Sequence, residues 1–352
     1  MASESTQPAP PVDMARVIEF DFVRATEAAA LHALKWLGRG DKIAADEAAT
    51  DAMRGMLNLI DMRGVCVIGE GIKDEAPGIF KDEKLGRWDE SALHVNFAID
   101  PIDGTRLTAK GLPGAISVLA ATVVSEQDHQ PLAELPSFYS YKLAFGPKVE
   151  ERGRQIDLNN PIAVTLATIA DCLGKRVSDL VVALLDRPRH EQLIGEIRDT
   201  GARIRMASDG DVALAIAPSM LDSNVDVYVG IGGSPEAVIA ASAIKCLGGQ
   251  MLVRMWPRDD QERADLTDDG WADKLDRVYN CDDLASGDEI MFAATGISDS
   301  SMLPGISVQG QYAHTHSILM RAKYRTVRYV HAVHDLFLKT IRLDSDMQEH
   351  LL

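Results

Sequence analysis

The sequence is poor in cysteine and in long apolar runs. It has four cysteines among 352 residues, Cys66, Cys172, Cys246 and Cys281, and they form no CxxC pair and no Cys/His spacing of a zinc site. Isolated cysteines of this kind are typical of a chain in a reducing cytoplasm. The longest apolar run, Gly114 to Val124, is far shorter than the ~20 residues that a transmembrane helix needs. We therefore predict a cytoplasmic protein with no membrane partner.

Basic residues are also scarce relative to acidic ones. Lys plus Arg number 36 against 53 Asp plus Glu, which gives a formal net charge of -17. Such a chain repels nucleic acid backbones and anionic lipids, so neither is an expected partner. An acidic enzyme can still act on phosphate esters if divalent cations lie between its carboxylates and the substrate.

The order of helix-type and strand-type patterns predicts an α/β fold. Residues 1–12 lack the features of a signal peptide and predict a disordered tail. Residues 13–160 contain two helical patterns, 13–37 and 41–62, and then strand-type runs that predict helices packed on an antiparallel-rich sheet. From residue 161 helical and strand patterns alternate, which predicts an α/β layer with parallel strands up to residue 340. We expect a site between these two halves.

The densest acidic cluster is the motif AIDPIDGT. In it Asp100 ends a strand, Pro101 forces an extended turn, and Gly104 lets the backbone approach a ligand closely. Asp100, Asp103 and the Thr105 hydroxyl can then converge. Hard oxygen ligands of this kind suit Mg²⁺ or Mn²⁺, although the same residue types also build ordinary turns.

Three further acidic residues lie at helix or strand ends. Asp46 lies four residues after Lys42 in an alanine-rich helix, where an exposed charge pair is the ordinary explanation. Glu70 lies between two glycines after a strand. Glu236 lies in the first turn of a helix that begins GIGGSPEA, a motif without the third glycine of a dinucleotide site, and Ser234 is the expected N-cap. Their joint occurrence beside hydrophobic strands favours a metal site.

Candidate substrate contacts follow two strands of the second half. The arginines of LLDRPRH, Arg187 and Arg189, can bind a phosphate remote from the reacting one, or form a solvated basic loop. The acids of SDGDV, Asp209 and Asp211, suit sugar hydroxyls or, alternatively, a helix cap. Tyr139 could stack on the substrate or donate a hydrogen bond to it.

These motifs together resemble one enzyme family. In chain order they read GRGDKIAADEAA, VIGEGIKDEAP, AIDPIDGT, LLDRPRH, SDGDV, GIGGSPE and ATGI. From about Phe20 to His334 the chain resembles class II, GlpX-type fructose-1,6-bisphosphatases, and DPIDGT also resembles the wider lithium-sensitive phosphatase superfamily that includes inositol monophosphatases. The resemblance implies a layered αβαβα sandwich, a homodimer or homotetramer, and hydrolysis of the C1 phosphate of fructose 1,6-bisphosphate by a water activated at Mg²⁺ or Mn²⁺.

Alternatives to this activity stay open. Some relatives also hydrolyse sedoheptulose 1,7-bisphosphate, and the metal motif alone would suit an inositol-phosphate monoesterase. A non-catalytic sugar-phosphate-binding regulator would require the loss of a ligand or of Thr105, and neither is lost. The chain departs from many relatives at Asp103, Ile72 and Ala237, where they have Glu, Glu and Gly, which changes the local loop shape and the metal distance.

The resemblance also implies roles for individual residues. It makes residues 13–160 the metal-binding half and residues 161–340 the substrate-binding half. The implied metal ligands are Asp46, Glu70, Asp100, Asp103 and Glu236. The implied catalytic residues are Thr105, which activates the water, with Asp74 and Lys42 at the edge of the site. The implied substrate contacts are Asp103, Gly104, Thr105, Tyr139, Arg187, Pro188, Arg189, Asp209, Gly210, Asp211 and Gly233.

Overall fold

The computed structural model describes residues 14–69, 78–125, 130–345 and 349–351. Its strands, in chain order, are β1 (Met62–Ile68), β2 (Lys84–Leu85), β3 (Leu93–Asp103), β4 (Ile116–Val123), β5 (Tyr139–Phe145), β6 (Val181–Leu185), β7 (Arg203–Ala207), β8 (Val227–Gly233), β9 (Gln250–Met255), β10 (Ile290–Gly296), β11 (Ser307–Gln309), β12 (Tyr312–Arg321), β13 (Thr326–Asp335), β14 (Thr340–Arg342) and β15 (Glu349–Leu351).

The α-helices of the structure, in the same order, are α1 (Met14–Leu34), α2 (Lys42–Leu57), α3 (Thr105–Lys110), α4 (Pro147–Glu150), α5 (Ile162–Leu173), α6 (Glu191–Asp199), α7 (Val212–Ile216), α8 (Ser234–Leu247), α9 (Asp260–Leu266) and α10 (Cys281–Leu284). Short 3₁₀ turns span Val177–Asp179, Pro188–His190, Ala217–Ser219 and Ala272–Lys274. None of the helices in the described ranges has the length and apolar character to cross a lipid bilayer.

The two N-terminal helices show how the local sequence sets an element. The side chain of Asp41 caps α2 by accepting a hydrogen bond from the Ala44 N–H at 3.0 Å. Ala45, Ala49 and Met53, spaced four residues apart, lie on its buried face. The helix ends at Leu57, five residues before the predicted end, because the chain turns there and β1 already begins at Met62.

The first sheet holds eight strands within the described residues. Its order is β11-β12-β10-β4-β3-β1-β2, and β13 pairs with β12. Only β1 and β3 run parallel, while the other neighbours in this sheet are antiparallel. This arrangement agrees with the antiparallel-rich sheet expected of the first half.

The second sheet has the order β7-β6-β8-β5-β9. Strand β6 runs parallel to β7 and β8, as predicted, but β5 is antiparallel to both β8 and β9. Strand β9 therefore runs in the same direction as β6, β7 and β8, but β5, a strand from before residue 160, inserts antiparallel between β8 and β9. Strands β10 to β13 conversely join the first sheet, so the two sheets do not divide the chain at residue 160.

The helices and sheets alternate in five layers. Helices α1 and α2 pack on one face of the first sheet, with Phe22 edge-on to Phe97 at a centroid distance of 5.4 Å. Helices α7 and α8 fill the space between the two sheets in the largest apolar core. Helices α5 and α6 cover the outer face of the second sheet. The predicted αβαβα sandwich is confirmed.

Candidate active site

A cleft of about 600 Å³ lies where strands β3, β6, β7 and β8 end. Ligands of α/β proteins bind at such carboxyl ends, because the loops that follow the strands meet there. The cleft brings together most of the predicted site residues, namely Lys42, Asp46, Asp100, Asp103, Gly104, Thr105, Tyr139, Arg187, Arg189, Asp209, Gly210, Asp211, Gly233 and Glu236.

Three predicted residues do not belong to this group. Glu70 and Asp74, like Ile72 between them, lie outside the described residues. Pro188 does not line the cleft. It begins the 3₁₀ turn Pro188–His190, where its fixed φ favours the turn that separates Arg187 from Arg189.

A bulged turn presents the carboxylates of DPIDGT to the cleft. The register between β3 and β4 shifts between Asp100 and Asp103, and such a shift re-aims side chains that would otherwise alternate across the sheet. The Ile102 N–H donates to Asp100 Oδ1 at 3.0 Å, which holds the turn. Gly104 has a φ of 95°, a conformation that favours glycine, and the next residue, Thr105, begins α3.

Asp46 reaches the same place from α2. The Thr105 hydroxyl contacts both the Ile102 carbonyl oxygen, at 3.3 Å, and the Asp46 carboxylate. Burial raises the pKa of Asp46 to about 7, although Thr105 and the nearby Lys42 charge lower it in part. Asp46 Oδ1 is buried without a hydrogen-bond partner in the described part of the chain. An exposed charge pair with Lys42 therefore does not explain the buried position of the Asp46 carboxylate.

Glu236 enters the cleft from the first turn of α8. Burial and repulsion from Asp211 raise its pKa, while Lys142 lowers it. Its Oε2 is buried and, within the described residues, has no hydrogen-bond partner. The helix begins one residue earlier than predicted: Gly233 is the N-cap, and the Ser234 hydroxyl instead lies 2.6 Å from that of Ser140.

Asp103 and Asp211 form the buried acidic wall between the two sheets. Asp103 Oδ2 accepts a hydrogen bond from the Val212 N–H at 3.2 Å. Burial, then repulsion from Asp211 and Glu236, raises the pKa of Asp103 well above its usual range. Lys142 Nζ lies 2.7 Å from Asp211 Oδ2 and is fully buried. The sequence reasoning missed Lys142, and the signal available was a lone lysine inside the apolar strand run YSYKLAF.

The basic wall of the cleft is built around the turn after β6. Arg189 donates from Nε and Nη2 to the Ile231 carbonyl oxygen at 3.1 and 2.8 Å, and its guanidinium lies 4.7 Å from the Tyr139 ring centroid. Arg187 forms an ion pair with Asp209. Arg106 also lines the cleft and was not predicted, although it directly follows Thr105.

His190 joins the strands that carry this wall. Its ring is fully buried, with Nδ1 2.7 Å from the Leu185 carbonyl oxygen and Nε2 2.7 Å from the Ile231 N–H. Because the Ile231 N–H can only donate, Nε2 accepts and Nδ1 carries the proton. Burial lowers the pKa of His190, and the neighbouring Arg189 and Arg187 lower it further against the effect of the Leu185 carbonyl. The neutral ring therefore fastens β6 to β8.

Acid is expected to weaken the fold through His190. Its pKa is lowered in the folded protein, so the unfolded chain binds the proton first as the pH falls. The stabilisation is therefore present above the usual histidine pKa of about 6.5 and decreases below it, by up to about 1.4 kcal/mol per pH unit. Urea unfolding of His190→Gln should show a pH slope smaller than the wild-type slope by about one proton. An unchanged slope in His190→Gln would contradict the prediction.

The carboxylates of the cleft fit a divalent cation. Asp46 Oδ1 and Glu236 Oε2 are buried oxygens that receive no hydrogen bond from the residues the structure describes, a costly state that a cation relieves. Asp100 and Asp103 add two more carboxylates to the same cleft. Across residues 14–69, 78–125 and 130–345, no three His, Cys, Asp or Glu side chains are already gathered around one point. Binding would therefore draw these oxygens together, with Glu70 outside the described residues.

The sequence as a whole matches a known family. Residues 16–334 match the family described as bacterial fructose-1,6-bisphosphatase, glpX-encoded. The chain belongs to this family. It is 44% identical over 336 residues to the class 2 fructose-1,6-bisphosphatase of Haemophilus influenzae, an alignment that covers 92% of this chain and 97% of that protein. It is 41% identical over 350 residues to fructose-1,6-bisphosphatase 1 class 2 of Escherichia coli K12, covering 96% and 100%.

The class 2 fructose-1,6-bisphosphatase family accounts for the composition of the cleft. Its members are metal-dependent phosphatases, and this cleft combines carboxylates from α2, β3 and α8 with arginines from the turn after β6. Carboxylates are what a divalent cation binds, and guanidinium groups are what a phosphate binds.

Proposed function

We propose that this chain hydrolyses the C1 phosphate of fructose 1,6-bisphosphate, giving fructose 6-phosphate and inorganic phosphate. The observation that carries the proposal is a single cleft with six carboxylates and three arginines, in a chain that aligns with nearly the whole length of two class 2 enzymes. A substrate with two phosphates needs positive charge at both of them. Because the chain has a net charge of -17, its own side chains supply only part of that positive charge.

The carboxylates of the cleft would hold the metal. Asp46, Asp100, Asp103 and Glu236 are the described candidates, and Glu70 completes the set by resemblance. When bound, Mg²⁺ or Mn²⁺ supplies charge neutralisation at the phosphoryl oxygens and an activated water. Burial, and after it repulsion from neighbouring acids such as Asp211, raises the pKa of both Asp103 and Glu236.

Thr105 is the residue we assign to the attacking water. Its hydroxyl lies between the Ile102 carbonyl and the Asp46 carboxylate. It can therefore donate its proton to one of these oxygens and accept a hydrogen bond from a water on the cleft side. Lys42, at the first residue of α2, adds a positive charge beside Asp46. Asp74 keeps the role of edge residue that the resemblance implies.

The remaining residues bind the sugar and the phosphate that is not cleaved. Arg189 keeps Nη1 for a ligand, because Nε and Nη2 already donate to Ile231. Arg187, held by Asp209, adds a second guanidinium. Asp209 and Asp211 are acceptors for sugar hydroxyls, Tyr139 offers a ring and a hydroxyl, and the backbones of Gly104, Gly210 and Gly233 allow a close approach.

Phosphate release from fructose 1,6-bisphosphate tests this function. The assay runs in Mg²⁺, Mn²⁺ and EDTA, with sedoheptulose 1,7-bisphosphate and inositol 1-phosphate as parallel substrates. Metal-dependent turnover of the first substrate that is lost in EDTA would support the proposal, and comparable turnover of the second would extend it to heptulose bisphosphates. Turnover of inositol 1-phosphate alone would replace it with a different monoesterase. Tight binding of the sugar bisphosphate without turnover would point to a regulator.

Arg189→Ala is expected to raise the KM for fructose 1,6-bisphosphate by about tenfold or more, because a lost charged hydrogen bond to phosphate weakens binding by that order. The kcat should change much less, since the guanidinium acts away from the reacting phosphate. Steady-state kinetics of the variant measure both. Arg154→Ala, which removes an exposed guanidinium paired with Asp171, should leave KM unchanged. An unchanged KM in Arg189→Ala would show that Arg189 does not bind the second phosphate.

We also propose that the chain acts in the cytoplasm as a homodimer or homotetramer. The resemblance to the family supports this, and so does the ribbon of β12 and β13, where Tyr312, Tyr329 and Val333 are exposed apolar side chains on one face. Light scattering after gel filtration measures the mass of the assembly, and a monomer at micromolar concentration would contradict the proposal.

A further inference from the structure

A buried ion pair lies behind the cleft and reaches it through one side chain. Lys142, in the middle of β5, has its Nζ 2.7 Å from Asp211 Oδ2, and both side chains are almost fully buried. Asp211 lines the cleft, whereas Lys142 does not. Whatever Lys142 does for a ligand in the cleft, it must therefore do through Asp211.

A second donor acts on the same carboxylate oxygen. The Tyr228 hydroxyl, in β8, donates to Asp211 Oδ2 at 3.2 Å, and Tyr228 is fully buried as well. The ammonium group and the phenol both hold Oδ2, so the carboxylate cannot rotate without losing one of them. Neither donor contacts Oδ1 of this carboxylate, which belongs to a residue that lines the cleft.

The backbone beside this carboxylate has room for nothing larger than glycine. A Cβ on Gly232 would lie 1.6 Å from Asp211 Oδ2 and 3.2 Å from Lys142 Nζ. The same glycine pairs with Ser140 across β5 and β8, two residues from Lys142 on its strand. Strands β5 and β8, together with Gly232, therefore form the space that the Asp211 carboxylate occupies.

The positive charge of Lys142 acts on the acidic residues around Asp211. Asp211 repels Asp103 and Glu236, and the positive charge of Lys142 opposes this repulsion at both of them. A buried carboxylate that loses its cation is strongly destabilised in its place and moves or is neutralised. The position of the Asp211 carboxylate therefore depends on Lys142.

We propose that Lys142 is a positioning residue which, together with Tyr228, fixes the Asp211 carboxylate on the cleft wall in the orientation that binds a hydroxyl of the sugar. This inference rests on the proposed function, in which Asp211 contacts the substrate. Lys142 itself touches neither substrate nor reacting atoms.

The first test is Lys142→Met, which keeps an unbranched side chain but removes the charge. The KM for fructose 1,6-bisphosphate should rise by about tenfold, the order expected when a charged hydrogen bond to substrate is misplaced, while kcat falls by less than about threefold. A merely structural lysine would lower the amount of active enzyme and hence the apparent kcat, but not KM. Lys175→Met, the same substitution at the surface pair with Asp226, should leave KM at the wild-type value. Unchanged KM in Lys142→Met would overturn the proposal.

A double variant separates action through Asp211 from other effects. If Lys142 acts only through this carboxylate, adding Lys142→Met to Asp211→Asn should change KM by less than about twofold relative to Asp211→Asn alone. Multiplicative effects of the two substitutions would overturn the proposal. If Lys142→Met does not fold, Tyr228→Phe removes one hydroxyl from the same oxygen and should raise KM by about threefold. An unchanged KM in that variant would equally count against it.

Calorimetric measurement of fructose 6-phosphate binding tests the role of Lys142 separately from the proposed phosphatase activity, because binding needs no turnover. A wild-type chain without phosphatase activity would end the proposed function alone. Weaker binding of fructose 6-phosphate by Lys142→Met than by wild type would still support the role of Lys142. Equal affinity in the two proteins, or no binding by wild type, would overturn it.

Discussion

Asp100→Asn is expected to lower the turnover of fructose 1,6-bisphosphate by about a thousandfold, the order seen when one electrostatic stabiliser of a transition state is removed. Asparagine has one neutral oxygen where aspartate has a shared negative charge, so a divalent cation loses a ligand. The fold should persist, because the amide Oδ1 can still accept the Ile102 N–H hydrogen bond that holds the turn at 3.0 Å. Phosphate release at saturating substrate and metal, with circular dichroism of the same sample, measures both.

The control for this substitution is the same change at a surface position. Asp269→Asn removes an exposed carboxylate in the segment after α9, and it should retain wild-type turnover. A general effect of lost negative charge would lower both variants alike. Turnover near the wild-type rate in Asp100→Asn would show that Asp100 is not a metal ligand, and it would leave Asp46, Asp103 and Glu236 to be tested in turn.

The layers of the fold follow from hydrophobic periodicity, but the strand partners do not. The patterns predict where strands run because a buried strand shows its apolar side chains locally. The sequence of β5 does not predict that this strand inserts between β8 and β9. That pairing joins residues 139–145 to residues 227–233 and 250–255, which are distant along the chain. The sequence therefore predicts strand β9 and its direction, but not that its neighbour in the sheet is β5.

The residues of the cleft divide in the same way. Asp100, Asp103 and Thr105 could be predicted because one short turn brings them together, and glycine and proline mark that turn in the sequence. Lys142 and Tyr228 could not, because they meet Asp211 only after three segments of chain have joined the same sheet. His190 is the last residue of the LLDRPRH motif, but its contacts with β6 and β8 are structural, and only the buried hydrogen bonds reveal this.

Gly233→Ala is expected to lower kcat/KM for fructose 1,6-bisphosphate by about a hundredfold, through displacement of the Glu236 carboxylate from the cleft. A Cβ at this position would lie 1.9 Å from Glu236 Oε2 and 2.5 Å from its Cδ, so that side chain must move. The backbone needs no change, because Gly233 has a φ of -64° and a ψ of 140°, which alanine adopts freely. Steady-state kinetics and a titration of activity with Mn²⁺ measure the loss, and the Mn²⁺ concentration for half-maximal activity should rise.

A second glycine separates the lost carboxylate from the mere addition of a methyl group. Gly195, inside α6, has open space where its Cβ would lie, so Gly195→Ala should leave activity unchanged and stabilise the fold by about 0.5–1 kcal/mol through helix propensity. Glu236→Gln should resemble Gly233→Ala in its weaker response to Mn²⁺, because both remove the same buried negative oxygen from the cleft. Normal activity in Gly233→Ala with a lower Tm would instead mean that the backbone had shifted and that Glu236 binds no metal. The two glycines thus decide whether the orphaned oxygen of Glu236 is a ligand or only a buried acid.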